Sequence, residues 1–171
     1  DIWKSNDSGA TWNNIGVGAS KVWIAIASSS DGVKLIAAVF TENLWLSSDS
    51  GENWKELSGS PSYPTVNQVW HDVASSSNGN KLVAVSEPTV GFRGYVWISN
   101  NSGESWTTNR PQLNWNAVAS SSDGVKLVAG VFGGNIWISV DSGVIWSELP
   151  AGPSYPTINQ DWISITSSSD G

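Results

Sequence analysis

Few side chains of this 171-residue sequence are placed to do chemistry, and carboxylates lead among them. Hydrolysis of a glycosidic bond needs two carboxyl groups facing each other across a cleft, about 6.5 to 9.5 Å apart in an inverting enzyme. Asp72, Glu87 and Asp161 are the candidates for such a pair, and nothing in the sequence brings two of them together. His71 is the one histidine, so a zinc site lacks a second imidazole and a structural role is the plainer reading. Without cysteine there is no disulfide framework, and the redox compartment is left open. The reading names no catalytic residue, no metal site and no cofactor.

The remaining aspartates stand in repeated strings, and the repeat dictates the elements that hold them. Ser-Ser-Ser-Asp-Gly runs at 28–32, 120–124 and 167–171, with an Asn variant at 75–79. Ser-x-Asp-Ser-Gly-x-x-Trp runs at 5–12, 47–54 and 139–146, with an Asn variant at 99–106. The two alternate, and Asp31, Asn78, Asp123 and Asp170 recur every 47, 45 and 47 residues, the length of one four-stranded propeller blade. All 12 tryptophans obey the same period, three to a repeat.

Within the third full copy, strand A is read at Trp115 to Ala119, B at Lys126 to Val131, C at Asn135 to Ser139, and D from near Ile145. Gly133-Gly134 is read as a two-residue hairpin step from B to C, supplying positive φ angles. A strand as apolar as Leu127 to Val131 must be covered on both faces, which stacked blades achieve and a lone sheet does not. The expected fold is therefore all-β, with propeller blades of four antiparallel strands and about 3.3 blades in the chain. The repeats fall at 1–14, 15–57, 58–109, 110–149 and 150–171 of one segment. The strand count is set at 13: C and D in Asp1 to Trp12, three full blades, and strand A at Trp162 to Thr166, with no long helix. Most tryptophans are expected to be buried between blades or over turns.

In the second string each residue type has a structural task. Asp7, Asp49, Asn101 and Asp141 accept backbone N–H groups inside the C-to-D turn. Gly9, Gly51, Gly103 and Gly143 take positive φ, and Trp12, Trp54, Trp106 and Trp146 fold back over the turn. Asn101 makes the same bonds but would be a poor catalytic acid, which favours the structural task throughout. The pattern resembles the Asp-box, or bacterial neuraminidase repeat, of sialidases, xyloglucanases, sortilin-type receptors and photosystem II assembly propellers. The resemblance covers all four repeats and implies a propeller with these turns on its periphery, away from any active site. A sialidase of that family needs three arginines, and this chain has only Arg93 and Arg110.

Antiparallel strands put the A-to-B and C-to-D turns at one end of the blades and the B-to-C and D-to-A connections at the other. Variation gathers at the second end, in Ser60 to Thr65, Pro153 to Thr157 and Glu87 to Tyr95. Tyr63, Phe92, Arg93, Tyr95, Arg110 and Tyr155 lie there and form the candidate binding set, since aromatic faces with polar neighbours suit sugar rings or a protein partner. The plainer alternative is that the Pro-Tyr-Pro elements pin long loops.

A net charge of -7 without a basic cluster argues against nucleic acid, and no apolar run approaches the roughly 20 residues of a spanning helix. Asn6 and Asn100 begin Asn-x-Ser sequons, glycan acceptors if the protein is secreted. The long D-to-A loop returns after two repeats, so duplication in blade pairs is expected. The chain opens on a C strand and lacks one B strand for four blades, which suggests an excerpt of a longer propeller or array, or completion by a neighbouring subunit. The reading is thus a non-catalytic extracellular or cell-surface module, structural or binding. Its partners are other copies of itself, further repeats of a longer chain, or glycans. The alternatives are a lectin-like propeller and a fragment of a glycoside hydrolase.

Overall fold

The computed structural model describes residues 1–18, 20–58, 64, 68–88, 94–150 and 160–171, with the backbone alone at Pro88, Asn109 and Arg110. A leading pair, β1 (Trp3–Lys4) and β2 (Asn13–Asn14), precedes three four-stranded meanders. Blade I holds β3 (Trp23–Ser28), β4 (Leu35–Val39), β5 (Leu44–Ser47) and β6 (Lys55–Glu56). Blade II holds β7 (Gln68–Ser75), β8 (Leu82–Pro88), β9 (Gly94–Ser99) and β10 (Thr107–Leu113). Blade III holds β11 (Trp115–Ser120), β12 (Leu127–Gly134), β13 (Ile136–Ser139) and β14 (Ser147–Glu148), and β15 (Gln160–Asp161) pairs with β12. Every ladder is antiparallel, and no helix occurs among the described residues. The chain is a portion of a β-propeller.

Three details correct the sequence reading. The described residues form 15 strands, not 13, because the smaller figure undercounts the blade elements it was assembled from. Trp162–Thr166 makes no ladder as a strand A; β15 pairs instead with the far end of β12, Asp161 opposite Phe132. Strand A of each blade is held by the strand B that follows it, and Trp162–Thr166 has no such strand among the described residues. Finally, strand D of blade III starts at Ser147, and Gly133-Gly134 is not a two-residue hairpin loop, since both glycines extend β12. Only Gly133 has positive φ there, at 66°.

Burial explains why B strands are so uniformly apolar. Alternate residues of β8 face opposite ways: Leu82 and Ala84 pack with Ile36, Ala38 and Leu44 of blade I, while Val83 and Val85 pack with Trp115, Val118 and Ala129 of blade III. A central strand covered on both faces has no position left for a polar alternation. Trp70 and Trp115 are the largest fully buried side chains, 1% and 0% exposed. Trp3 and Trp12 depart from the expectation of burial at 55% and 58% exposed, because the two-stranded β1–β2 pair offers too little surface to cover an indole.

The turn end is sewn together by repeated bonds. Ser30 N–H donates to Ser77 O at 2.7 Å, Ser77 N–H to Ser122 O at 2.7 Å, and Ser122 N–H to Ser169 O at 2.8 Å, so the serine tracts relay from blade to blade. Within blades, Ser50, Ser102 and Ser142 donate their N–H to Val33, Asn80 and Val125, each at 2.8 Å, which fastens the C-to-D turn to the A-to-B turn. Both motifs therefore share one end of the molecule, as the strand directions require.

Candidate functional site

The aspartate turns are built alike. Ser47 Oγ donates to Asp49 Oδ1 at 2.9 Å and accepts Gly51 N–H at 2.9 Å, while Asn53 N–H donates to Asp49 Oδ1 at 2.9 Å and Trp54 Nε1 donates to Gly51 O at 3.1 Å. The hydroxyl and backbone bonds recur around Asp7, Asn101 and Asp141, and the indole bond recurs at Trp12 and Trp106 but not at Trp146. The Thr11 hydroxyl, its backbone N–H and the Ser5 hydroxyl hold the Asp7 carboxyl down at about 2. Asp49 and Asp141 are lowered as well, each chiefly by the backbone N–H four residues on. Carboxylates so stabilised in the charged form are turn acceptors rather than proton donors.

Sequence reasoning assigned positive φ to the turn glycines alone. In fact the preceding serine shares it: Ser8, Ser50, Ser102 and Ser142 sit at φ 57–61° and Gly9, Gly51, Gly103 and Gly143 at 81–90°. A non-glycine residue in that region costs on the order of 1–2 kcal/mol, offset in blades I to III by the bond its N–H makes to the A-to-B turn. The signal was present as an unvarying Ser before each Gly.

At the opposite end, blade II differs from its neighbours. The registers place Trp70 opposite Ser86 where Trp23 meets Val39 and Trp115 meets Val131. Ser86 Oγ donates to Gln68 Oε1 at 2.9 Å and accepts Trp97 Nε1 at 3.0 Å, all buried. In blade I, where Val39 offers no acceptor, Trp45 Nε1 is buried without a partner. Next comes a bulge common to all three A strands, whose extra residue is Ile24, His71 or Asn116. His71 Nε2 lies 3.4 Å from Glu87 Oε1, too poorly aligned to count as a hydrogen bond. Asp72 stands where blades I and III have Ala25 and Ala117; its Oδ2 accepts Val118 N–H and its Oδ1 accepts Val73 N–H, both at 2.9 Å. Burial pushes the Asp72 carboxyl up, against the lowering effect of those two N–H groups and of His71.

This arrangement reorders the candidate residues. His71 and Glu87 come together, Asp72 is spent on the backbone of the next blade, and Asp161 lies opposite Phe132 at the end of blade III. Of the candidate binding set, Tyr95 is half-buried with its ring 5.8 Å from that of Trp97. The Arg110 backbone belongs to β10. Tyr63, Phe92, Arg93, Tyr155 and the Arg110 side chain lie outside what the structure describes. Asn6 and Asn100 are exposed on turn tips. Gln68, Ser86 and Asp72 were the residues sequence reasoning missed as a group; their signal was polarity at positions where the other repeats place small or apolar side chains, Lys21 and Gln160 excepted.

No family model and no curated protein matches the sequence. Solved β-propellers do resemble it. YCF48 bound to the D1 peptide aligns with TM-score 0.60 at 16% identity over 80% of this chain and 46% of that one. The GH74 xyloglucanase from Xanthomonas campestris aligns with TM-score 0.65 at 18% identity over 87% of this chain and 27% of that one. A chain of a nidogen/laminin complex aligns with TM-score 0.59 at 13% identity over 77% of this chain and 49% of that one. The chain spans less than half the length of each. At such identities the likeness is one of fold, shared by catalytic and non-catalytic propellers alike.

Proposed function

We propose that this chain is a non-catalytic Asp-box propeller module, an extracellular or cell-surface scaffold that binds a peptide or protein partner at the loop end of blade II. The observation that carries the reading is the engagement of the candidate acids other than the exposed Asp161: Asp72 holds the backbone of β11, Glu87 faces His71, and Asp7, Asp49 and Asp141 serve their own turns. A hydrolase needs a carboxyl pair turned toward substrate, and these are committed to bonds and contacts of the fold itself. The polar substitutions of blade II lie at the end where Tyr95 stands and the variable connections leave the sheet, so a rigid sheet supports variable connections. A peptide partner accords with the YCF48 complex and a protein partner with the nidogen/laminin complex, both propeller relatives in fold. Further copies or repeats of the chain complete the scaffold, and exposed Asn6 and Asn100 would carry glycans after secretion.

Incubation with xyloglucan and other polysaccharides, followed by assay of new reducing ends, tests the first half: sustained release of reducing ends would sink the non-catalytic reading. A peptide and glycan array probed with the chain tests the second. Peptide binding weakened by Tyr95→Ala is the expected result, and binding confined to glycans would replace the partner by a sugar.

A further inference from the structure

Three of the four aspartate turns present polar side chains at two or all of three tip positions, and the turn of blade III at none. Val140, Val144 and Ile145 are 67%, 67% and 66% exposed. Their counterparts in the other turns are Asn6, Ser48 and Asn100; Ala10, Glu52 and Glu104; and Thr11, Asn53 and Ser105. Those counterparts in blade II are exposed even though blade III follows it, so exposure belongs to the tip and not to a missing neighbour.

The apolar tip also forfeits bonds. Thr11 Oγ1 donates to Asp7 Oδ2 at 2.6 Å and Asn53 Nδ2 to Asp49 Oδ2 at 2.7 Å, and Ser105 Oγ accepts Asn101 Nδ2 at 2.9 Å. Ile145 has no polar side-chain atom with which to make such a bond. Trp12, Trp54 and Trp106 donate Nε1 to their turn glycine carbonyls, whereas Trp146 Nε1 is buried without a partner. Three aliphatic side chains are therefore held in water where the other turns place side chains that bond to the turn.

We propose that this tip is a contact knob for a second copy of the chain, seated in the cleft between blades I and II. That cleft, of about 300 Å³, is floored by Leu35, Leu46, Leu57 and Leu82 and edged by Lys34, Lys55 and Glu104. It is concave, apolar and of a size for aliphatic side chains, and its two lysines outnumber the one glutamate, so a net positive edge meets the Asp141 carboxylate on the knob. In a chain of net charge -7 this pairing of an acidic knob with a basic edge favours self-contact over an anionic lipid surface. Knob and cleft both lie at the turn end, so two copies meeting end to end satisfy both contacts in one two-fold arrangement. Three side chains bury far less than the roughly 800 Å² per partner of a stable dimer, which makes the contact weak and suited to an array. The proposal rests on the self-association part of the functional reading above and not on the loop end.

Sedimentation velocity across roughly 10 µM to 1 mM tests it. The average mass is expected to rise from 18.2 kDa toward twice that value. The triple variant Val140→Asn, Val144→Glu, Ile145→Ser copies the turn of blade II and is expected to weaken association by about tenfold or more at an undiminished thermal midpoint. Lys55→Glu, on the other side of the contact, is expected to weaken it too, and decides the matter should the triple variant unfold. A chain monomeric throughout, association untouched by both variants, or binding to lipid vesicles in its place would overturn the proposal. The array result at the loop end stands or falls separately, because these substitutions lie at the other end of the blades.

Discussion

The turn end and the loop end of these blades are made of the same strands and obey different rules. At the turn end four repeats converge on one solution, with serine, aspartate and glycine bonded to each other and to the next blade at nearly constant distances. At the loop end blade II abandons the pattern of its neighbours, exchanging Ile24 for His71, Ala25 for Asp72 and Val39 for Ser86. The difference teaches that repetition here marks what holds blades in register, while departure from it marks positions released for another purpose. An aspartate in the first group and one in the second are chemically alike and differ only in what surrounds them.

The strongest way to break the comparison is through the tryptophans. Trp70 is 1% exposed and donates Nε1 to Glu42 O at 2.9 Å, linking blade II to blade I. Trp70→Ala is expected to cost about 3–5 kcal/mol in urea unfolding, enough to unfold a marginal chain. Trp12→Ala, at a site 58% exposed, is expected to cost under about 1 kcal/mol. Equal losses at the two sites would remove the distinction between blade interface and periphery.

A smaller effect is expected at Gly79, where φ is 66° and an added Cβ would stand 2.7 Å from Lys34 Cβ and Cδ across the blade boundary. Lys34 is itself tied by Nζ to Asn80 Oδ1 at 2.6 Å and Ser102 Oγ at 3.0 Å, so it yields with difficulty. Gly79→Ala is expected to destabilise by roughly 1–3 kcal/mol in the same assay. Gly32→Ala, whose added Cβ meets nothing within 4 Å, should show the backbone part alone.

Asp49 sharpens the reading of the turns. Asp49→Asn is expected to leave the thermal midpoint nearly unchanged, because Asn101 already fills that place in blade II, whereas Asp49→Ala lowers it by unbonding Asn53 N–H. An Asn variant as damaging as Ala would mean that the charge, and not the acceptor, is what the turn needs.

The smallest effect is a pH dependence of opposite sign at the two ends. The turn aspartates have lowered values in the fold, so their contribution is present above the ordinary 3.8 and is lost as pH falls toward the folded values. Asp72 has a raised value, so the folded chain holds its proton more tightly than the unfolded chain, and stability falls as pH rises from 3.8 through the folded value. The urea midpoint of Asp72→Asn is therefore expected to gain on that of the parent chain across that window. A constant difference would show that the carboxyl titrates in the fold as it does unfolded.

Much of the fold was legible before any coordinates. A period of 47, 45 and 47 residues, glycine and aspartate at fixed places, and apolar B strands each report local rules that act within one repeat. The site was legible only in outline. Asp72 read as a candidate acid because the sequence shows a carboxylate but not the Val118 N–H that a neighbouring blade brings within 2.9 Å of it. The serine relay from Ser30 through Ser77 and Ser122 to Ser169 was equally hidden, since each of its bonds joins residues in different blades.

By itself, the sequence determined the all-β class, the blade length, the paired turns and which end of each blade varies, because periodicity and turn chemistry are local properties of the chain. The tertiary structure alone decided which aspartates are spent, which tryptophans are buried, and that Val140, Val144 and Ile145 form an exposed apolar tip. Those outcomes depend on contacts across blades and on access to water, which no residue carries in its own type or in its spacing from the next.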